Sequence, residues 1–507
     1  MTGTVAERSS IVQEIRTAVR HMAVYGAGNI MIKAIGFLML PFYTHYLSPK
    51  DYGVLEILDL SMSLFALVLN MGLTPAFLRV YAAAESEAEK RRVVGTGCVF
   101  GIVTGLATFL AGAGFVGPAT RLIIGPAAPS IYVWLSFGAL VLNYMANLPR
   151  TYLRALEASG TYAVLDTAGV FALLGLNIWF IAVVKMGLVG VLASSFIVAA
   201  LQFAGLSIWA LRKAGFHFRM PHLRRMLSFG TPLILANVGL FVLNFSDRFF
   251  LQHLRSLDVV GIYAVGYKFG FMMNYLFVQP FFVMWQTRMY AIHANAEHRT
   301  IFRQIFMLYS FGLILAGLAM SLFAPEVITL MVEPRFAASQ GVVPIVVLSY
   351  IFYGLGYFAQ LGMLLTDRTK NIGVIGAGAA GLNLVLNYFL ISAYGMMGAA
   401  WATLLSFVSI ALACYWSSQR VFPLVLGIRQ MLLGLAEAIV LYLACRFWAP
   451  AGLGMAVGVK LAALAAFPVL AMKTGVLPAA VSAALAAGAS GIWSRSRQLA
   501  KACVAGQ

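Results

Sequence analysis

Apolar stretches of about 20 residues, the length a helix needs to cross hydrocarbon, follow one another along almost the whole chain. They fall at roughly 22–46, 53–81, 93–116, 130–152, 161–184, 187–211, 227–250, 259–286, 303–323, 341–365, 371–393, 396–418, 430–448 and 453–472. The connections between them are short, which leaves no room for a separate soluble catalytic domain. Only 10% of the 507 residues are charged. A soluble domain carries about 25%, so a surface this poor in charge has to be covered by lipid. The expected fold is an all-α integral membrane protein with about 14 transmembrane helices.

The formal net charge of +18 would suggest nucleic acid in a soluble protein, but its placement excludes that partner. Against the fourteen spans, 25 of the 35 Lys and Arg residues lie on one side. Among them are Arg8, Arg16, Arg20, Lys90, Arg91, Arg92, Arg212, Lys213, Arg224 and Arg225. Positive loops stay cytoplasmic, so an even number of spans and two cytoplasmic termini are expected, in a bacterial inner membrane. The first twenty residues mix charges of both signs and lack the pattern of a cleaved signal peptide. The cysteines (Cys98, Cys414, Cys445, Cys503) show no paired spacing, so neither a disulfide framework nor a metal site is expected. No cofactor is implied.

The longest cytoplasmic connection, RKAGFHFRMPHLRRM at 212–226, separates six spans from six. Self-comparison supports that division. FYTHYLSPKDYGVLEI from Phe42 aligns with FLQHLRSLDVVGIYAV from Phe250 at an offset of 208, which matches His45 to His253 and Gly53 to Gly261. The same offset carries GLVGVLASSF at Gly187 onto GMMGAAWATL at Gly395. A shift of two residues then pairs Asn177 with Asn387. Three matches in order predict a duplicated six-helix unit, as in parallel-repeat transporters. The expected organisation is an N-terminal lobe (1–211), the basic linker (212–226), a C-terminal lobe (227–418) related to the first by a pseudo-two-fold axis, two extra spans (419–473) and a tail (474–507). Within the tail, 475–491 is read as an interfacial helix.

Residues 376–381 spell GAGAAG, a literal G-x-G-x-x-G. It sits inside an apolar span with no preceding strand, so the small residues are expected to let helices approach rather than to hold a nucleotide. The seven histidines mark span ends and loops without metal-ligand spacing. Extramembrane loops show no paired carboxylates or nucleophile–base set, and no catalytic residue is assigned.

The informative residues are ionisable groups inside spans, because each is costly in lipid and calls for a partner or an aqueous cavity. Lys33 lies mid-span 1. Glu56 and Asp59 lie one turn apart on one face of span 2. Asp166 is in span 5, Asp247 and Arg248 close span 7, and Lys268 is a third of the way along span 8. Lys33 and Lys268 occupy the opening hairpins of the two repeats. They read either as buried ion-pair members, Lys33 with Asp59 for example, or as ligands for an anionic substrate. The carboxylates then read as ion-coupling groups. Asn70, Asn143, Asn237, Asn244, Gln279 and Gln360 add hydrogen-bonding groups at depth. Glu437 and Lys460 are expected to pair or snorkel.

GFLMLPFYTHYLSPKDYGVLEI, NMGLTPAFLRVYA and SFGTPLILANVGLFVLNFSDRFFLQHLRSLDVVGIYAVGYKFG resemble blocks of the bacterial polysaccharide (O-antigen type) flippases, of the superfamily that also holds multidrug antiporters and lipid II flippases. RFAASQGVVPIVVLSYIF and AYGMMGAAWATLLS resemble later blocks. The resemblance covers about residues 20–420. It implies a two-lobed carrier that moves an undecaprenyl-pyrophosphate-linked oligosaccharide from the cytoplasmic to the periplasmic leaflet. Alternating access through a cationic cavity would be driven by a proton or sodium gradient, with membrane lipid and polysaccharide polymerase machinery as partners. Matched by position, the family blocks single out Asp247, Arg248, Lys268 and Arg79. Together with the other ionisable groups inside spans, the substrate-binding candidates are Lys33, Lys268, Arg248 and Arg79, and the ion-coupling candidates are Asp59, Asp166, Glu56 and Asp247. Arg79, of the FLRVYA block, lies near the cytoplasmic end of span 2, where an entry role is equally open. A cation-coupled multidrug antiporter is the alternative, although two lysines at depth suit an anionic cargo better. A membrane-embedded polymerase or ligase would need a large periplasmic loop, and none is present.

Overall fold

The computed structural model describes residues 36–448 and 452–477. Among them there is no strand, and eleven helices are long and apolar enough to cross a membrane, from Pro49–Ala82 to Gly454–Lys473. Two more expected spans are helical as well. Residues 227–250 correspond to the helix Pro232–Leu254. Residues 259–286 correspond to the run Leu257–Met273, Asn274–Val278 and Gln279–His293, whose middle five residues are π-helical. Span 1 is represented by its end, Leu40–Tyr46. Lys33, Cys503 and most of the expected tail helix lie outside the described residues.

Packing groups the chain into two compact units, residues 1–265 with 331–336 and residues 266–330 with 337–507. The first is built on Phe77, Val93, Val94, Cys98, Val141, Leu148 and Tyr152, which are nearly water-free. The 212–226 connection is ordered here by amphipathicity. The helix Met220–Gly230 buries Leu223 and Met226 and leaves Arg224 and Arg225 exposed, and the Arg219 N–H donates to Thr96 Oγ1 at 3.0 Å. The helix Pro49–Leu69 opens with a capping box. The Asp51 N–H donates to Ser48 Oγ (3.1 Å) and the Ser48 N–H to Asp51 Oδ2 (3.2 Å), which satisfies two donors that a helix start leaves open. At the matched position 208 residues on, the Val259 N–H donates to Ser256 Oγ at 3.3 Å.

In the second unit, aromatic rings fill the interior. Phe281 stacks on Tyr309 (3.6 Å between centroids) and Trp285 on Phe358 (4.5 Å). Two helices, Thr369–Tyr394 and Met396–Val421, share a buried amide–hydroxyl network in which Asn387 donates to Asn383 (2.9 Å) and Asn383 to Ser406 (3.1 Å). Lys460 of the helix Leu453–Lys473 bonds to Glu326, so its charge is paired as expected. Gly395 opens the helix Met396–Val421 with φ +59°, and its match Gly187 opens Gly187–Ala214 with φ +55°. Both occupy the left-handed region that glycine enters without steric cost.

One packing expectation is corrected. Gly376, Gly378 and Gly381 of GAGAAG face open space, with nothing within 4 Å of an added Cβ. The buried positions of that stretch are Ala379 and Ala380. The helix therefore packs through its alanines, because the three glycines point away from its neighbours.

Candidate functional site

Near the end of the helix Pro232–Leu254, adjacent Asp247 and Arg248 stand about 100° apart around the axis, and both side chains turn inward. Arg248 Nη1 donates to Asp247 Oδ1 at 2.7 Å and to the Asn244 carbonyl, one turn back, at 3.0 Å. The other Asp247 oxygen, Oδ2, accepts from the Tyr263 hydroxyl at 2.5 Å. A second carboxylate approaches from another helix, with Glu56 Oε1 3.8 Å from Arg248 Nε. The rings of Tyr263 and Phe245 lie 5.2 and 5.4 Å from the guanidinium carbon, within the range of cation–π attraction. Asp247 and Arg248 are each 1% exposed, Glu56 9% and Tyr263 0%.

Two glycines place the partners. Glu56 follows Gly53 by three residues, and Tyr263 follows Gly261 by two. A Cβ at Gly53 would sit 1.9 Å from the Leu257 carbonyl oxygen, and one at Gly261 would sit 2.0 Å from that of Pro49. The helices Pro49–Leu69 and Leu257–Met273 thus touch backbone to backbone, a spacing that only glycine permits. That crossing brings Glu56 and Tyr263 onto the Arg248 side chain.

The electrostatics follow from the inventory. A guanidinium keeps its proton in any protein setting, so Arg248 is a fixed positive charge. Burying it is tolerable only with anions and acceptors around it, which Asp247, Glu56 and the Asn244 carbonyl supply. The cluster therefore holds one guanidinium against two carboxyl groups in a water-poor setting.

Three of the eight nominated residues, Glu56, Asp247 and Arg248, form this one cluster. Asp166 joins another pair instead, 3.7 Å from Arg150 Nε. Arg79 is exposed and stands over the Phe229 ring, 4.6 Å from its centroid. Lys268 is exposed between buried Tyr267 and Phe269. Glu56 and Asp59, expected to share a face, differ in environment: Glu56 is buried and Asp59 exposed. Three residues turn a helix by 300°, and the 60° shortfall carries Asp59 past the packed edge. Tyr263, Arg150 and Gln202 were not nominated. Tyr263 lies in VGIYAVGYK and follows Gly261, but an aromatic residue in an apolar span reads first as packing.

The family model described as "Polysaccharide biosynthesis protein" matches residues 18–285, more than half of the chain and all eight nominated residues. The chain belongs to this family. A Haemophilus influenzae protein of the Lsg locus is 24% identical to it over 251 residues, which are 48% of this chain and 59% of that protein. The match thus spans less than two thirds of the relative. Among solved structures, a lipid II flippase MurJ in an inward closed conformation superposes with a TM-score of 0.70 at 12% identity, covering 90% of this chain and all of that one. An inward-facing multidrug resistance MATE transporter of the MOP superfamily gives 0.60 at 12% identity, over 76% and 94%. At that identity the likeness is one of fold, and the chain is a multi-pass membrane protein whose fold is like those of MurJ and that MATE protein.

Proposed function

We propose that the chain is an ion-coupled flippase that moves undecaprenyl-pyrophosphate-linked oligosaccharide repeat units from the cytoplasmic to the periplasmic leaflet for polysaccharide biosynthesis. Membership of a polysaccharide biosynthesis family supports the substrate class, and likeness to a lipid II flippase supports transport of a lipid-linked sugar. The observation that carries the mechanism is the buried cluster of Arg248 with Asp247 and Glu56. A pyrophosphate cannot cross about 30 Å of hydrocarbon alone, so lysine and arginine groups along the path would offset its charge. Lys33, Lys268, Arg248 and Arg79 are assigned that role. Glu56, Asp59, Asp166 and Asp247 are assigned to the proton or sodium ion whose gradient drives the cycle. Two six-helix lobes would alternate access to the site, in the bacterial inner membrane, with both termini cytoplasmic.

The test is to delete the gene and fractionate lipid-linked glycans by leaflet. Accumulation of a complete undecaprenyl-linked repeat on the cytoplasmic face, with loss of surface polymer, is expected. The likeness to a multidrug resistance transporter favours a second reading, a cation-coupled drug antiporter. Normal surface glycan with altered dye accumulation would select it.

A further inference from the structure

Away from the Arg248 cluster, the helices Ile131–Ala155, Ser159–Ile178 and Gly187–Ala214 enclose a cavity of about 490 Å³. That volume is within the range of small-molecule sites. Its walls are mostly apolar, with Thr161, Tyr162 and Trp209 beside a polar patch where Arg150, Asp166 and Gln202 converge, and the Tyr162 hydroxyl bonds to Asp166. Arg150 Nη2 donates to the Gln202 side-chain oxygen. The approach of Arg150 Nε to Asp166 Oδ1 is 3.7 Å, too long for a hydrogen bond. A guanidinium with five donors and a carboxylate thus stand side by side, 30% and 21% exposed, with hydrogen-bonding capacity left over. At the rim, Leu165 and Leu201 are 43% and 64% exposed, an apolar surface of the kind hydrocarbon covers.

Depth narrows the ligand. Asp166 is seven residues into its helix, about 10 Å from the end, and Gln202 is twelve residues short of Ala214, about 18 Å from it. An amphiphile that enters sideways with its own chain reaches that depth from the bilayer. A purely anionic headgroup would meet Asp166, whereas a headgroup bearing both phosphate and ammonium satisfies both charges.

We propose that this cavity binds a membrane phospholipid with a primary ammonium headgroup, its phosphate on Arg150, its ammonium on Asp166 and a chain along Leu165 and Leu201. The site rests on the chain being in a membrane; it shares Asp166 with the coupling set proposed above, and counting bound lipid reads it without any transport.

Gly205 lines the cavity with nothing within 4 Å of an added Cβ, so Gly205→Leu fills the space without moving backbone. Gly175 is also open but does not line the cavity, and Gly175→Leu is the control. The full-length chain in detergent is titrated with phosphatidylethanolamine, phosphatidylcholine or inorganic phosphate, and bound molecules are counted by native mass spectrometry. One phosphatidylethanolamine is expected to bind about tenfold more tightly than phosphatidylcholine, whose quaternary ammonium donates no hydrogen bond to Asp166. Gly205→Leu should lose it, Gly175→Leu should keep it, and Arg150→Gln should weaken it about tenfold. Equal binding of the two lipids overturns the proposal, as does wild-type retention by a folded Gly205→Leu. Displacement by inorganic phosphate alone would make this a phosphate site and also overturn it. If Gly205→Leu does not fold, Arg150→Gln decides the same question.

Discussion

Gly53 and Gly261 lie against one another, and their contact is reciprocal. A Cβ on the first would strike the carbonyl of Leu257, and a Cβ on the second would strike that of Pro49. Residues 49 and 257 are separated by 208 positions, as are 53 and 261, so each glycine meets the counterpart of its own helix start. Ser48 and Ser256, one residue earlier, each accept from the backbone N–H three residues on. The crossing is therefore locally two-fold, an arrangement expected where a duplicated segment packs on its copy.

Gly53→Ala and Gly261→Ala should each destabilise the protein, although alanine is the better helix former by about 1 kcal/mol. Forcing a methyl group against a carbonyl oxygen costs about 1–3 kcal/mol by overpacking, and the neighbouring atom is backbone, which cannot rotate away. Thermal unfolding in detergent checks this. Midpoints at or above wild type for both variants would show that the helices can separate without loss.

Arg248→Ala should be among the most damaging single changes in the chain, because it strands Asp247 and Glu56 in a buried site. Removing one partner of such a cluster costs about 3–5 kcal/mol. Arg248→Lys should not restore function, since a single ammonium cannot hold Asp247 and the Asn244 carbonyl as Nη1 does and also turn a second nitrogen to Glu56 as Nε does. A triple variant Glu56→Gln, Asp247→Asn, Arg248→Met, which removes all three charges, should recover folded protein but no glycan export. Export from the triple variant would reduce the cluster to a structural one.

The sequence carried the membrane class, because a low charge content and repeated apolar stretches leave lipid as the only cover. It also carried the Gly53–Gly261 correspondence, since the two glycines stand at the shared offset of 208 and the crossing admits only glycine at each. Which ionisable groups meet was harder to read. Span periodicity places Asp166 and Arg150 on separate helices but says nothing of how the helices turn toward each other, so their pairing needed coordinates. The same limit applies to Gly376, Gly378 and Gly381, where a small-residue pattern suits close packing yet faces open space.

Lys33→Ala and Lys268→Ala should each abolish glycan export while membrane insertion stays intact. Lys268 is exposed between two buried aromatic residues, so shortening its side chain should leave the packing of its helix in place. Surface glycan and membrane-fraction immunoblots read the two effects apart. Normal export from both variants at normal expression would remove the cationic path from the mechanism.

Asp59→Asn should uncouple transport from its ion gradient and leave the protein folded. Asp59 is exposed on the helix Pro49–Leu69, one turn beyond buried Glu56. The amide keeps the size of the side chain but can neither gain a proton nor hold a full negative charge toward a cation. Because the position is exposed and the amide is nearly isosteric, the change should leave the packing of the helix in place. In proteoliposomes loaded with lipid-linked oligosaccharide, the wild-type chain should respond to an imposed proton or sodium gradient and the variant should not, with substrate binding retained. A variant that still follows the gradient would move the coupling role to the Glu56–Asp247 pair, whose carboxylates face Arg248. A variant that neither binds nor responds would place Asp59 on the substrate path instead.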